Sequence, residues 1–502
     1  MHKPSLHRPL AIAVALALLT PAAAFGADAT TQHTAPTGSP RDIGRSTRHE
    51  RRTSSSRHVS GATRRRHAHK PTRTHSHRGR KHHRKAKRHH PHHSKPKVLA
   101  SPTTPTTSTG STATSSPPTL TDTTPSPTGA PSPPTAAKQP SPSPACTQTV
   151  ASVASATSAV AAAGAEAVVC LTAGGYGPLE LAGKHSGTVT IEPVPGSEVS
   201  LEGVSVAAGS SGITVHNFTI SGGVSLAAGD SHITIDHNDI NGQGPGGDGE
   251  GVETLAVNCS APNAPTYSGC TTTTPDTYLT INGNKIHGYG EGDSEDAIHL
   301  NDWEHVTITA NDIYNLEEHG NHTDAMQSVF GGHYMTFAYN YEHDNQAQGF
   351  FIKDGDASEV TVNENLFVRN NNEPELYPGG EYNIQVFNTT GFTATNNTVW
   401  DGQDDILRAE GAAEALTANF NHNVEQDLAV LHEGGGPAYT LTEDYDIFKE
   451  APWTFTKGAH SKVEANPGFV NAASEDYELA SNPNNIGVDW QPSEYVYGPT
   501  GD

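Results

Sequence analysis

Six short segments of the chain share one pattern: an apolar/Thr strand stub that ends in Asn, in most units followed by another apolar residue. They are Thr234-Ile-Asp-His-Asn238-Asp-Ile240, Thr280-Ile-Asn-Gly-Asn284-Lys-Ile286, Thr307-Ile-Thr-Ala-Asn311-Asp-Ile313, Thr336-Phe-Ala-Tyr-Asn340, Thr361-Val-Asn-Glu-Asn365-Leu-Phe367 and Thr393-Ala-Thr-Asn-Asn397-Thr-Val399. The Asn-to-Asn steps are 46, 27, 29, 25 and 32 residues. An earlier unit, Thr214-Val-His-Asn-Phe218-Thr-Ile220, carries Phe at the Asn position, 20 residues before Asn238. Repeats of this length mark a solenoid rather than a globule, because each unit buries its apolar face on the next. β-Branched stubs with Asn at a tight corner, and no long helical pattern between them, predict a parallel β-helix. The corner Asn is expected to take the left-handed backbone region and to stack its amide in a hydrogen-bonded ladder. Side chains of successive rungs then recur about every 4.8 Å on a flat face, a surface that suits a long polymer.

Composition divides the chain into unlike parts. Residues 1–27 have a basic start, an apolar run over 10–19 and small residues at Ala22–Ala24, the pattern of a secretory signal peptide and too short to span a bilayer. Residues 28–98 form a basic tail. Between 41 and 97 it holds 20 Lys/Arg and 12 His against Asp42 and Glu50, near +18. Residues 99–145 are a Ser/Thr/Pro-rich linker. Neither stretch has the apolar residues to offset the entropy of ordering, so both are expected to be disordered. Residues 146–502 are the predicted β-helix domain, with 50 Asp/Glu against 8 Lys/Arg, near −42. An exported, soluble monomer without a membrane span is expected. In that setting the four cysteines read as two disulfides, Cys146 with Cys170 and Cys259 with Cys270.

Residues 147–164 are rich in Ala, Ser and Val, with apolar residues at helical spacing, and predict a short capping helix over the exposed edge of the first rung. Rungs are predicted to begin near Val189, Ile213, Ile233, Leu279, Val306, Met335, Val360 and Phe392. After each Asn corner comes a short strand, a polar loop and a second apolar segment. These second segments start at Gly251, Asp296, Asp324, Gly349, Tyr382 and Asp405, and are expected to stack into one parallel sheet. The cap, the corners and the strand–loop–strand rungs together resemble the pectate-lyase-like right-handed β-helix superfamily. The ending, Ala465-Asn-Pro-Gly-Phe-Val470 with Tyr477-Glu-Leu479 and Ile486-Gly-Val488, is similar to the closing segment of secreted bacterial members. The likeness covers about 147–490. It implies the fold, and leaves open lyases, hydrolases, epimerases and adhesins.

Polar residues gather on three adjacent rungs, and the resemblance places a substrate groove along their sheet. Asp296, Asp324 and Gln348 are expected in one column, His299 and Gln327 in the next. Elimination on a uronate polymer needs a base for the C5 proton and a group that neutralises the neighbouring carboxylate. The resemblance implies Lys or Arg as base and carboxylate-bound Ca²⁺ as neutraliser. On that reading Lys353 is the base and Arg408 its backup, with His322 and Asp324 beside them. His299, Gln327 and Gln348 then hold sugar hydroxyls, and Asp296, Asp324 and Asp354 ligate Ca²⁺. Polygalacturonase-like Asn-Thr-Asp and Gly-His-Gly motifs are missing, as is an epimerase Asp-Pro-His-Asp. Hydrolysis of a neutral glycan by Asp296 and Asp324, about 5 Å apart on neighbouring rungs, is the alternative. A third reading is a non-catalytic wall binder or adhesin whose basic tail contacts an anionic cell-wall polymer. All three expect an extracellular polysaccharide as partner.

Overall fold

The computed structural model describes residues 145–502 apart from 243–249, 261–269, 289–295, 318–322, 347, 354–356, 371–381, 403, 411–414, 434–438, 453 and 501–502. The predicted signal peptide, tail and linker therefore lie outside the described residues, as do His322 and Asp354. Within them the chain winds as a right-handed parallel β-solenoid of about ten turns with almost no helix. Nearly every strand pairs in parallel with its counterpart on the next turn.

Three faces make up each turn. The first holds the strands that lead into the Asn corner, such as Ser231–Asp236, Asp276–Asn282 and Ala357–Asn363. The second holds the short strands after it, from Gly174–Tyr176 through Lys285–His287 to Lys462–Val463. The third collects Val252–Thr254, Gln348–Ile352, Ile384–Phe387, Asp405–Glu410 and Leu428–Glu433. Two long strands, Ile298–Thr309 and Asp324–Ala338, bend without a break from the third face into the first. The second segments predicted to stack do form this one third sheet.

Alternation fixes the core. Along Ser231–Asp236, Ile233 and Ile235 point inward and are buried, while Thr234 faces out. The same parity on every turn stacks Val, Ile and Phe into one continuous apolar column, with Phe337, Phe350, Phe367 and Trp303 fully enclosed. Gly332 is required beside Trp303, because a Cβ there would sit 2.2 Å from the indole ring.

The Asn ladder is present and longer than the six segments indicate. Phe218 N donates to Asn238 Oδ1 (3.0 Å), and the relay passes through Asn284, Asn311, Asn340, Asn365 and Asn397 to Asn423 and Asp446. Each Asn from 238 to 423 is fully buried. The left-handed residue is not the Asn, however. It is the residue before it: His237 (φ 51°), Gly283 (65°), Ala310 (52°), Tyr339 (58°), Glu364 (55°), Asn396 (56°) and His422 (61°). The reason is that an inward-facing amide has to reach backbone carbonyls on both sides, so the turn is made one position earlier.

The capping helix spans Val153–Ala162, shorter than predicted, with Ser152 as N-cap accepting from Ser155 N (3.2 Å). Residues Gln148–Val150 are a strand instead, paired with Val168–Leu171, because the cap needs a backbone partner for the first edge. Cys146–Cys170 and Cys259–Cys270 are both disulfide-bonded. After the last turn the chain runs back along the Asn corner as a strap. Val488 N donates to Thr398 Oγ1 (3.2 Å), Trp490 Nε1 to Glu364 O (2.8 Å) and Gly498 N to Gly283 O (2.8 Å). No helix among the described residues is long and apolar enough to cross a membrane.

Candidate functional site

The third sheet carries the site. Register places Asp324 beside Gln348, and His299, Gln327, Phe351 and Gln385 in one outward column. At the strand starts the acids form a buried network. Asp324 N donates to Asp296 Oδ1 (2.8 Å), and Gln348 Nε2 to Asp324 Oδ1 (2.7 Å). Gln327 Nε2 donates to the other Asp324 oxygen. Asp296 Oδ2 lies 3.0 Å from His299 Nδ1, which is also 3.3 Å from Glu250 Oε1. Burial pulls the His299 imidazole down, but hydrogen bonds and charge from Asp296 and Glu250 outweigh it and hold the ring well above its usual range. Under Asp324 sits Glu342, fully enclosed, whose carboxyl is pushed well up by burial and then by the Asp324 charge. Gly349 makes room there, since a Cβ would meet Asn383 O at 2.3 Å.

The strand ends differ. Lys353 Nζ lies 5.5 Å from the Phe387 ring centroid, and the Arg408 guanidinium lies 5.2 Å from the same ring and 5.9 Å from that of Tyr382. These are cation–π distances. Neither cation has an ion pair among the described residues. On this sheet, Arg408 Nε, Gln385 Oε1, His299 Nε2 and Glu250 Oε2 are buried and lack a hydrogen-bond partner among the described residues. Buried polar atoms are normally satisfied, and these four are among the groups on this sheet that a ligand can complete.

Those sequence-predicted residues that are described are thus brought to one sheet but not to one point. Gln348 aligns with Asp324, and Lys353 is five residues further along the strand, about 16 Å away at the rise of a strand. Asp296 and Asp324 are neighbours, yet both are buried and their oxygens are engaged by protein donors. Two members of the predicted Ca²⁺ set thus have their oxygens occupied, and the third, Asp354, lies outside the described residues. The grouped donors among the described residues of this sheet are Glu250, Asp296 and His299, two carboxylates and an imidazole, whereas Ca²⁺ takes six to eight oxygens; a second group, His216, Asp236 and His237, lies on the first face. Glu250, Glu342, Tyr382, Gln385 and Phe387 were not singled out from sequence. Extending each second segment by a residue or two and reading down the columns would have found Glu250 and Phe387.

Residues 202–399 match a family model described as a right handed beta helix region. The molecule is a right-handed parallel β-helix protein. The match and the solenoid are consistent with the pectate-lyase-like superfamily. No curated protein matches the chain in sequence. Among solved structures it is similar to DFA-IIIase from Arthrobacter chlorophenolicus A6 without its lid in complex with GF2. That match has 13% identity, covers 60% of this chain and 75% of that one, and has a TM-score of 0.29. The same enzyme in complex with GF2 gives 13%, 55% and 69%, and 0.26. A mutant of it in complex with DFA-III gives 11%, 65% and 76%, and 0.28.

Proposed function

We propose that this β-helix protein acts on an extracellular polysaccharide, cleaving a uronate-containing glycan by β-elimination on the outer face of the third sheet. The observation that carries this reading is the pair Lys353 and Arg408. In a domain with 50 acids and 8 Lys/Arg, these two share one aromatic ring and have no ion pair among the described residues. Cations without an ion pair among the described residues of so acidic a body favour an anionic ligand, and Arg presents a planar fork suited to a carboxylate. In this proposal Arg408 holds the uronate carboxylate and Lys353 takes the C5 proton. The C4–oxygen bond breaks, a C4–C5 double bond forms, and the leaving oxygen takes a proton. His299, Gln327 and Gln385 hold neighbouring sugars. Ca²⁺, if bound, would supply further charge neutralisation, and no step here depends on it. Export through residues 1–27 and contact of the basic tail with an anionic wall polymer belong to the same proposal.

The test is a panel of uronate and neutral polysaccharides, with and without chelator, followed by the absorbance of unsaturated uronates. A rise lost in Lys353→Ala supports elimination by this base. New reducing ends without that absorbance would replace it with hydrolysis. The carboxylates to examine then are Asp404 and Asp427, adjacent on neighbouring rungs, with Asp404 exposed and Asp427 lifted to about 7, chiefly by burial. Wall binding without any product would leave the adhesin reading.

A further inference from the structure

On the first sheet, one outward column is threonine on eight successive turns: Thr190, Thr214, Thr234, Thr280, Thr307, Thr336, Thr361 and Thr393, each the register partner of the next. Two residues before the four central threonines stand four rings. His232, Tyr278, His305 and Tyr334 stack at 4.7 Å between centroids, with interplanar angles of 18°, 8° and 7°. Tyr278 and Tyr334 are 50% and 52% exposed, among the most open large side chains of the fold. Three residues after the threonines the C-terminal strap forms the opposite margin, through Gly498 on Gly283, Tyr495 stacked on Tyr339 and Trp490 on Glu364. The threonines are thus a floor between a ridge of rings and a strap.

The ridge is kept against its local cost. All four ring residues are left-handed, at φ 55°, 56°, 58° and 65°. In the same column the turn before the rings uses Gly212 (69°), the residue that takes this conformation freely, while the turn after them carries Glu359 (54°) and the one beyond that Gly391 (70°). A non-glycine residue there costs about 1–2 kcal/mol. Bulky rings at the four central corners therefore point to a use that glycine would not serve. Because the inner ring faces are spent on one another, the ridge offers mainly ring edges, with phenol hydroxyls and imidazole nitrogens. With the threonine hydroxyls this gives hydrogen-bonding groups once per rung, every 4.8 Å or so.

Neither column holds Lys or Arg; the ring column continues into Glu359, and the nearest charged neighbours, Asp236 and Glu304, are acids too. A polyanion is disfavoured on this face, in contrast to the third sheet. A flat crystalline surface such as ice is disfavoured as well, because only one column repeats. Beside it the outward residues are His216, Asp236, Asn282, Thr309, Ala338 and Asn363. What fits a single line of neutral donors and acceptors is an extended neutral chain that advances by about one sugar per rung. We infer that the threonine floor and the His232–Tyr334 ridge dock a linear neutral glycan parallel to the solenoid axis. This docking face is separate from the chemistry of the third sheet and stands whether or not that chemistry is elimination.

Calorimetry on the full chain with β-1,4-linked glucose, mannose and N-acetylglucosamine oligomers of two to eight units tests it. Affinity for at least one series should rise with length. Tyr278→Ala/Tyr334→Ala should weaken it at least tenfold, with uronate cleavage unchanged. Tyr278→Phe/Tyr334→Phe keeps the stack and removes only hydroxyls, so a partial loss at an unchanged melting temperature is expected from it. Binding by no neutral oligomer, binding untouched in both double variants, or binding to polyanions alone would overturn the inference. Inhibition of ice growth that disappears in the alanine variant would overturn it too.

Discussion

Asp324 illustrates how much one buried carboxylate organises. It accepts from the side-chain amides of Gln327 and Gln348, while its own N–H is held by Asp296. Asp324→Ala strips partners from two amides at once, and buried donors left unmade cost about 1–3 kcal/mol each. A loss of roughly 3 kcal/mol by denaturant unfolding is expected, with little change for Gln327→Ala, which removes donor and demand together on the more open side. Arg408→Ala should raise KM for a uronate substrate by tenfold or more, whereas Lys353→Ala should abolish kcat. Equal effects of the two substitutions on KM alone would reduce both residues to binding. Lys353 and Arg408 stand out in the sequence because cations are scarce in this domain. Their shared ring was not, since Phe387 reads as one more core-facing apolar residue until its register is known.

Among the elements, the Asn ladder and the strap carry the most testable consequences. Asn340 Oδ1 accepts from both Asn311 N and Asn311 Nδ2, and Asn340 Nδ2 donates to Ile308 O and Asn365 Oδ1. Asn340→Ala should cost about 3 kcal/mol, and Asn340→Gln should not rescue it, because a longer amide cannot sit in the same rung. The strap closes over Glu364, whose carboxyl is pushed up to about 9, chiefly by burial and further by Asp489. Raising the pH through 9 should therefore loosen the strap first. Hydrogen exchange at Trp490 and Tyr495 is the measurement, and Glu364→Gln should remove its pH dependence. The ladder was readable as a repeat, although its left-handed position was displaced by one residue. The path of the strap was not readable at all: contacts such as Thr500 with Asn217 join residues 283 apart and leave no local pattern.

At the scale of the molecule, pH should act through carboxyls sealed inside the coil. Asp230 is lifted to about 7 and Asp276 to about 8, both chiefly by burial, and Glu364 behaves likewise. A carboxyl raised above its unfolded value stabilises fully below that value, near 4, and loses its contribution as pH climbs through the folded value. Asp239, held low by His287, and Asp344, held low by Arg369, act oppositely and lose their contribution only in acid. Melting temperature should thus peak on the acidic side and fall steadily from about pH 5 to 9 in a calorimetric series; a flat or rising profile would refute this account. The repeat, the inward parity of each stub, both disulfides and the scarcity of cations are properties of order along the chain, so the amino-acid sequence alone determined the solenoid and its charge. Which residues become neighbours across turns depends on loops of unequal length, from 20 to 46 residues per step. Only the closed coil decided that Glu250 meets His299, that Lys353 and Arg408 share Phe387, and that four rings line a threonine floor, because register is set by the stacking of whole turns and not by any one of them.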